Sequence, residues 1–221
     1  MALSKKYTAF FKELIPNNNR DWFHANKKRF EEDVKAPFEE LTAEVIAGMQ
    51  KIDPEITVTP RECVFRIYRD VRFSKDKLPY KTHLGAVVGR GGRKDHTYPG
   101  VYFQIEVDRV SIAGGCWKPD KDRLYRIRQK IAADPKAFRK MMNGKKFKDT
   151  FGGLGGEDRN KIIPKEFREA AETVPEMYNK SFHYWKTYKG KKHVTDASLA
   201  KTIVDHFRIA KQFNAFLIET I

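Results

Sequence analysis

The sequence contains few cysteines and no long apolar segment. Its 221 residues include only Cys63 and Cys116, and no Cys-x-x-Cys pair occurs, so neither a disulfide framework nor a cysteine-rich zinc site is expected. No run approaches the roughly 18 apolar residues that a membrane span requires, and the first residues lack the apolar region of a signal peptide. The sequence therefore predicts reduced thiols, a cytoplasmic location and no membrane partner.

Metal-binding and catalytic motifs are also scarce. The glycines of residues 152–156 are not followed by the Gly-Lys-Ser/Thr of a phosphate-binding loop, and Ser74 lacks the Gly-x-Ser-x-Gly context of a hydrolase nucleophile. The histidines show neither His-x-x-x-His nor His-Glu-x-x-His spacing, so we expect no metal site and no cofactor. The six histidines are His24, His83, His96, His183, His193 and His206.

Negative charge is in short supply. The chain has 44 lysines and arginines against 29 acidic residues, which leaves a formal charge of +15. Such a charge raises the potential around any cleft and attracts phosphates, acidic partners or nucleic acid. Hydrophobic residues make up 40% of the chain and aromatic residues 13%, enough for a packed interior. We therefore predict a single globular domain over residues 1–221 with a preference for anions.

Hydrophobic periodicity predicts an α+β fold. Apolar residues recur at three- and four-residue steps near both termini, as in helices, and at two-residue steps in between, as in strands. Short connections between the strands favour antiparallel pairing. We expect a largely antiparallel sheet packed by N-terminal and C-terminal helices, whose opposite face forms a basic, aromatic-rimmed cleft. The predicted strands cover residues 62–73, 84–88, 101–107, 110–114 and 181–188, and one C-terminal helix is predicted over 199–217.

Residues 61–81 place seven cationic side chains on a stretch that otherwise has the pattern of a buried strand followed by a turn. Buried cations cost desolvation free energy unless they pair with carboxylates or face a cavity that holds an anion. Arg69 falls on the apolar face of the alternating pattern, so it requires either a bulge or burial against a carboxylate. The polar face of the pattern holds Arg66, Tyr68, Asp70 and Arg72.

The sequence leaves two interpretations of this basic segment open. In the first, its cations converge on an oxyanion, because the planar fork of arginine binds phosphate or carboxylate through two parallel hydrogen bonds. In the second, they pair with Glu62, Asp70 and Asp76 or lie on a solvated face. The predicted ligand-binding residues are Arg66, Tyr68, Arg69, Arg72, Lys77, Tyr80 and Lys81, with Trp22, Tyr102 and Trp117 as aromatic walls.

The leading functional prediction is binding of a small phosphorylated or carboxylated ligand, with hydrolysis or transfer left open. Asp70 and His83 are the candidate catalytic residues, because a histidine beside the basic turn can act as a general acid or base and Asp70 can orient it. One alternative is a nucleic-acid or acidic-partner binding module that uses the basic tracts 90–94 and 186–193. Another is a structural or interaction protein in which the motif is an ion-pair network. The sequence specifies neither catalysis nor an oligomeric state.

Residues 65–81 follow the pattern F-R-x-x-R-D-x-R-F-S-x-D-K-x-P-Y-K, which resembles the signature of a widespread, mainly bacterial family of uncharacterised proteins with a domain of unknown function. The similarity extends to the Asn18-Asn19 turn, Trp22-Phe23, the Tyr102 strand, residues 114–119 and the helix over 124–131. It implies one whole-chain α+β domain and brings no activity, substrate or catalytic residue. The tract 186–193 is not part of this pattern.

Overall fold

The computed structural model describes residues 3–95 and 97–221. Met1, Ala2 and His96 lie outside the described residues. Four strands form one antiparallel sheet in which each strand pairs with its neighbours in the sequence. This architecture confirms the predicted α+β class and the antiparallel sheet. The strands are β1 Leu84–Val88, β2 Val101–Ile105, β3 Arg109–Cys116 and β4 Phe182–Lys189.

Alternation along the strands gives the sheet two different faces. On the inner face, Ala86, Phe103 and Ile112 pair across β1, β2 and β3 and are fully buried. This face packs against two helices, one from each end of the chain: α4, Ala36–Gln50, and α11, Leu199–Ile209. The outer face follows the opposite parity and carries the side chains that form the candidate site.

The N-terminal helices begin at side chains that cap them. The Ser4 hydroxyl oxygen accepts a hydrogen bond from the Lys6 N–H, and the Asn19 side chain accepts one from the Trp22 N–H at 2.9 Å, which confirms an asparagine cap here. Residues Phe30–Lys35 form a π-helix, because the Ala36 N–H bonds to the Glu31 carbonyl five residues earlier. The bounds are α1 Lys5–Leu14, α2 Arg20–Ala25, α3 Lys27–Arg29, the π-helix Phe30–Lys35 and α4 Ala36–Gln50.

A second hydrophobic cluster lies beside the β3–β4 end of the sheet. Cys116 and Phe182 pair at this end and pack with the helices that follow β3. Asp120 and Asp134 cap the first two of these helices. The remaining elements are α5 Pro60–Cys63, α6 Lys121–Ala133, α7 Pro135–Met142, α8 Lys145–Phe151, α9 Arg168–Thr173, α10 Lys191–Val194, α11 Leu199–Ile209, α12 Lys211–Ile218 and 3-10 turns at Gly92–Lys94, Lys165–Phe167 and Pro175–Tyr178.

Within the described ranges, none of the helices combines the length and the apolar character that crossing a bilayer requires.

The predicted strand over residues 62–73 is wrong at its beginning, where α5 forms instead. Pro60 stands in the first turn of α5, where its missing N–H is tolerated. Thr59 and Glu62 complete a capping box: Glu62 accepts from the Thr59 N–H at 2.8 Å. These local hydrogen bonds favour one helical turn at the point where alternation alone favours a strand.

The rest of the same prediction fails because the chain after α5 makes only isolated bridges. Val64 pairs with Ala86 and Tyr68 with Tyr80, but the register shifts by two residues between the two bridges, so no continuous ladder forms. The alternation therefore ends early. Phe73, which the pattern places on the core side, is 95% exposed.

The single predicted C-terminal helix is divided at Ala210. Its backbone has φ −86° and ψ 5°, and its N–H bonds to the carbonyls of His206 and Arg208, so α11 ends here and α12 begins at Lys211. The apolar side chains on the two sides of the break enter different clusters: Phe207 joins the sheet core and Phe213 joins the second cluster. Tertiary packing, and no glycine or proline, determines this break.

Asn18 connects the N-terminal helices to the basic segment. Its side-chain amide donates to the Tyr80 carbonyl at 3.0 Å and accepts from the Tyr80 N–H at 3.1 Å, so it pairs with the backbone as a neighbouring strand would. Phe23 stacks on the Tyr80 ring with centroids 4.1 Å apart and planes 17° apart, and Tyr68 packs on the same ring at 5.4 Å. Both Asn18 and Tyr80 are buried, so these bonds are shielded from water.

We expect Asn18→Ala to lower the free energy of unfolding by about 3 kcal/mol, because it leaves two buried backbone groups of Tyr80 without a partner. The matched control is Asn17→Ala, which removes one exposed bond to the Glu13 carbonyl and should cost less than about 1 kcal/mol. Urea unfolding followed by circular dichroism measures both values. Equal losses for the two variants would refute the structural role assigned to Asn18.

Candidate functional site

The outer face of the sheet forms a cleft of about 390 Å³. Tyr102 of β2 lies between Phe65, at a ring-centroid distance of 6.3 Å, and Trp185 of β4, at 6.1 Å. Trp117 follows β3 and packs edge-on against His183 at 4.7 Å. We call this the aromatic cleft; its lining residues are Phe65, Val87, Asp95, Tyr98, Gly100, Tyr102, Ala113, Gly114, Gly115, Trp117, His183 and Trp185.

Gly115 keeps the floor of the aromatic cleft close to the backbone. Its φ of +95° lies in the region that side chains disfavour, and an added Cβ would lie 2.5 Å from the Phe182 carbonyl oxygen. Because Gly115 places no side chain between β3 and β4, the backbone can turn at the end of β3. This turn brings Trp117 over the end of the sheet, where it is 57% exposed.

Lys118 stands beside Trp117 in a strained backbone conformation. Its φ is +48°, the one positive value among the non-glycine residues of the described ranges, and its N–H donates to the Ser181 hydroxyl oxygen at 2.9 Å. The Lys118 ammonium lies 5.6 Å from the centroid of the Trp117 ring. Such strain persists where the surroundings enforce it, and it is concentrated at functional sites. A cation is thus held at one rim of the aromatic cleft.

Lys81 holds a second cation at the β1 rim. Its ammonium lies 5.5 Å from the centroid of the Phe65 ring and donates to the Arg66 carbonyl at 3.1 Å. Burial, together with the neighbouring Arg66 charge, lowers the pKa of Lys81 below its ordinary value. The Phe65 N–H bonds to the Gly85 carbonyl at 2.9 Å, which fixes this ring against β1.

His183 is one of the titratable residues that line the cleft. Burial lowers the pKa of His183 below its ordinary value, and Nδ1 is buried with no hydrogen-bond partner among the described residues. Burial alone would raise the pKa of Asp95, but hydrogen bonds from Thr97 and Tyr98 lower it below its usual range. The cleft therefore contains the His183 imidazole, for which burial favours the neutral form, and the Asp95 carboxylate, which already accepts hydrogen bonds from its own loop.

The Tyr98 side of the cleft is anchored by a partly buried ion pair. Asp53 accepts hydrogen bonds from Arg90 Nε at 2.9 Å and from the Tyr98 hydroxyl, and the Arg90 guanidinium lies 4.6 Å from the Tyr98 ring centroid. Arg90 also bonds to Glu55. Arg90, which belongs to the basic tract 90–94 predicted as a candidate nucleic-acid contact, is thus paired with carboxylates of the protein itself.

Three of the predicted ligand-binding cations are held by the turn that carries them. Arg69 pairs with Asp76 at 2.6 Å and donates to the Leu78 carbonyl, so of the two options for this residue the structure shows pairing with a carboxylate. Arg72 pairs with Asp70 at 2.7 Å, and Lys77 donates to the Val71 carbonyl at 2.9 Å.

The structure separates the other predicted residues. Tyr102 and Trp117 line the aromatic cleft with Lys81 at its edge, whereas Arg66 and Tyr68 line a second cavity. Tyr80 is buried beneath Phe23. Trp22 is half-buried against Phe10, at a centroid distance of 5.5 Å, and belongs to the core. The ten residues therefore do not form one site.

Asp70 and His83 remain candidates for catalysis only as sequence predictions. The hydrogen bonds from Arg72 hold the pKa of Asp70 at about 2, and burial followed by the Lys81 charge lowers the pKa of His83. In the part of the chain that the structure describes, no hydrogen bond joins Asp70 to His83. Over the same residues, no group of three or more His, Cys, Asp or Glu side chains is placed to hold a metal ion.

Sequence reasoning did not place Phe65, His183, Trp185 and Asp95 in the predicted ligand-binding cleft. A signal existed for two of them, since His183 and Trp185 share one parity of the correctly predicted strand at 181–188. His183 and Trp185 lie on the same face of the sheet as Ala113 and Tyr102. This shared face follows from the β2–β3 and β3–β4 registers, which the sequence alone does not provide.

A family model described as a conserved hypothetical protein, DUF2461, matches residues 6–216. The chain belongs to this family. The match spans nearly all of the sequence and therefore includes the aromatic cleft and the basic segment together. No curated protein matches the chain.

We expect Trp117→Ala to raise the pKa of His183 toward its ordinary value of 6.5, because it removes a ring that buries the imidazole. A pH titration of the histidine ring protons by NMR measures this change. His206, whose pKa is also lowered by burial, is the internal control and should not move. An unchanged His183 midpoint in a folded variant would contradict the assigned contact.

The lowered pKa of His183 also determines how the free energy of unfolding changes with pH. The unfolded chain binds a proton at His183 before the folded one does, so this group's contribution to stability is complete above about pH 6.5 and declines as the pH falls below it.

Proposed function

We propose that this protein binds a small organic ligand that combines a flat aromatic group with a carboxylate or phosphate. The ligand's ring occupies the aromatic cleft and its anion lies near Lys81 or Lys118. The observation that carries the proposal is the position of these two lysines, each over an aromatic ring of the cleft: Phe65 at 5.5 Å and Trp117 at 5.6 Å.

The size and composition of the cleft support a small ligand. Its volume of about 390 Å³ lies within the range of small-molecule sites, which are mostly apolar with a few placed polar groups. Stacking on aromatic rings orients a flat group. The negative face of a ring, which attracts a lysine, also attracts the positive edge of another ring, so aromatic pairs adopt offset or edge-on geometries. The bound anion then replaces the water around the ammonium.

Binding without chemistry is the form of this proposal that the geometry favours. The Asp70 carboxylate pairs with Arg72 at 2.7 Å, and no hydrogen bond among the described residues joins it to His83. Cys63 and Cys116 are free and buried, which supports the proposed cytoplasmic location, since reduced thiols persist there.

Single-stranded nucleic acid is the second candidate, because the outer sheet face presents exposed aromatic rings. Trp185 is 42% exposed and Trp117 57%, and bases stack on such rings in sequence-tolerant single-strand binders. The net charge of +15 would add a strongly salt-dependent attraction. The third candidate, a structural ion-pair network, is supported for the turn itself by the Arg69–Asp76 and Arg72–Asp70 pairs.

Tryptophan fluorescence tests the leading proposal, because two of the three tryptophans line the aromatic cleft and Trp22 does not. We expect saturable quenching by members of a panel of aromatic carboxylates, aryl phosphates and nucleoside monophosphates. Trp117→Phe should remove part of the signal change, whereas Trp22→Phe should leave it intact. At one hundred times its dissociation constant, such a ligand raises the free energy of unfolding by about 2.7 kcal/mol.

Charge variants make the test specific for the anion. Lys81→Gln and Lys118→Gln should each weaken an anionic hit, the more important contact by about tenfold, while binding of its uncharged analogue stays constant. Lys140→Gln, an exposed site on α7, is the matched control. Equal weakening by all three variants, or tight binding of single-stranded RNA with a steep salt slope, would favour the nucleic-acid candidate instead.

A further inference from the structure

A second cavity of about 270 Å³ lies on the other side of Phe65. We propose that it is a separate binding site for the phosphoryl group of a small soluble phosphate monoester. The cavity is enclosed by the N-terminal helices, α5 and the chain that follows α5. We call it the basic groove; its lining residues are Phe23, Lys27, Phe30, Glu31, Lys35, Glu39, Arg61, Val64, Phe65, Arg66, Ile67, Tyr68, Leu84 and Arg93.

The basic groove has an excess of positive charge. Five of its side chains are cationic and two are carboxylates, so the difference is three positive charges. Lys35 donates to Glu31 at 2.7 Å, which neutralises one carboxylate within the wall. Glu39 is the carboxylate that then opposes the remaining cations. These cations are Lys27, Arg61, Arg66 and Arg93.

Arg66 lines the groove, and its charge interacts with the Asp70 carboxylate without a hydrogen bond between them. No hydrogen bond from its side chain to another described residue occurs, whereas Arg69 and Arg72 in the same segment are both bonded to carboxylates. Arg66 is also exposed. Its planar fork is therefore free to donate two parallel hydrogen bonds to one phosphoryl group.

Arg93 is positioned before any ligand arrives. Its guanidinium donates to the Arg61 carbonyl at the end of the groove formed by α5. Gly92 precedes it with φ +60°, and an added Cβ would lie 2.7 Å from the Glu62 carbonyl oxygen, so the loop rests directly on α5. A cation that is already ordered loses little conformational entropy on binding, which favours affinity.

The π-helix supplies the floor of the basic groove. Its Phe30 is buried beneath the groove, while Glu31 and Lys35 reach the opening. π-Helical turns are rare and occur frequently at functional sites. The irregular turn therefore provides an observation for a ligand site that is independent of the charge count. Because its charged residues differ from those of the aromatic cleft and its ligand needs no aromatic group, the site does not depend on the proposed function of the aromatic cleft.

Titration with inorganic phosphate at constant ionic strength, followed by calorimetry, tests the inference on the full-length protein. We expect saturable binding that Arg66→Gln weakens about tenfold, since a hydrogen-bonded charge pair is lost. Glu39→Gln should tighten binding, because it removes the opposing carboxylate. Arg168→Gln, an exposed arginine on α9, makes the same charge change outside the groove and should have no effect.

The arms of the experiment separate the outcomes. Equal weakening by Arg66→Gln and Arg168→Gln would mean general attraction to the charged protein and would overturn the site. Phosphate binding that chloride matches at equal ionic strength would overturn it as well. Glycerol 1-phosphate should bind as inorganic phosphate does; binding only to vesicles that contain phosphatidic acid would overturn the soluble source of the phosphoryl group.

Discussion

The pairing of the Asn18 side chain with the backbone of Tyr80 is the interaction on which the position of the basic segment depends. Residues 64–81 lack a continuous ladder, and their bridges to residues 80 and 86 are isolated. The amide of Asn18 supplies the two hydrogen bonds that a neighbouring strand would supply, and the stacked rings of Phe23 and Tyr80 shield them from water. With this end secured, Phe65 can stand between two cavities and contribute a face to each.

The basic segment avoids the desolvation cost of its charges by distributing them in three ways. Arg69 and Arg72 pair with carboxylates within the turn. Lys81 lies over the Phe65 ring and bonds to a backbone carbonyl, where its stem is buried and its ammonium is partly shielded. Arg66 faces a cavity. The excess of cations on a strand-like pattern therefore reflects an irregular segment in which these four charges have different local environments.

Much of the fold can be predicted from the sequence because alternation and capping are local signals. The strands β1 to β4 follow two-residue periodicity, and Asn19, Asp120 and Asp134 begin helices through bonds to residues three positions away. The prediction for residues 62–73 is wrong because the alternating pattern there competes with the capping box of Thr59 and Glu62. The break at Ala210 is not predicted because it depends on the sheet core and the second hydrophobic cluster, which form only on folding.

The site was harder to predict, because its parts meet only through strand register. Tyr102 and Trp117 were identified as aromatic walls, but the cations expected beside them lie elsewhere, and Trp185 and His183 join them through β3 and β4. Parity within one strand says which side chains share a face. It does not say which face stays open, since that depends on where helices from both ends of the chain pack.

The net charge of +15 also acquires a different meaning in the structure. Arg128 is buried and donates to the carbonyls of Met177 and Asn179, and burial lowers its pKa. Arg123 is buried as well; it bonds to the carbonyls of Thr97 and Leu217 and so ties the loop beside the aromatic cleft to α12. Both guanidinium groups bond to backbone carbonyls inside the protein and are not displayed to a partner. Part of the excess positive charge is therefore structural, and a long-range attraction to polyanions follows from it less directly than the composition suggests.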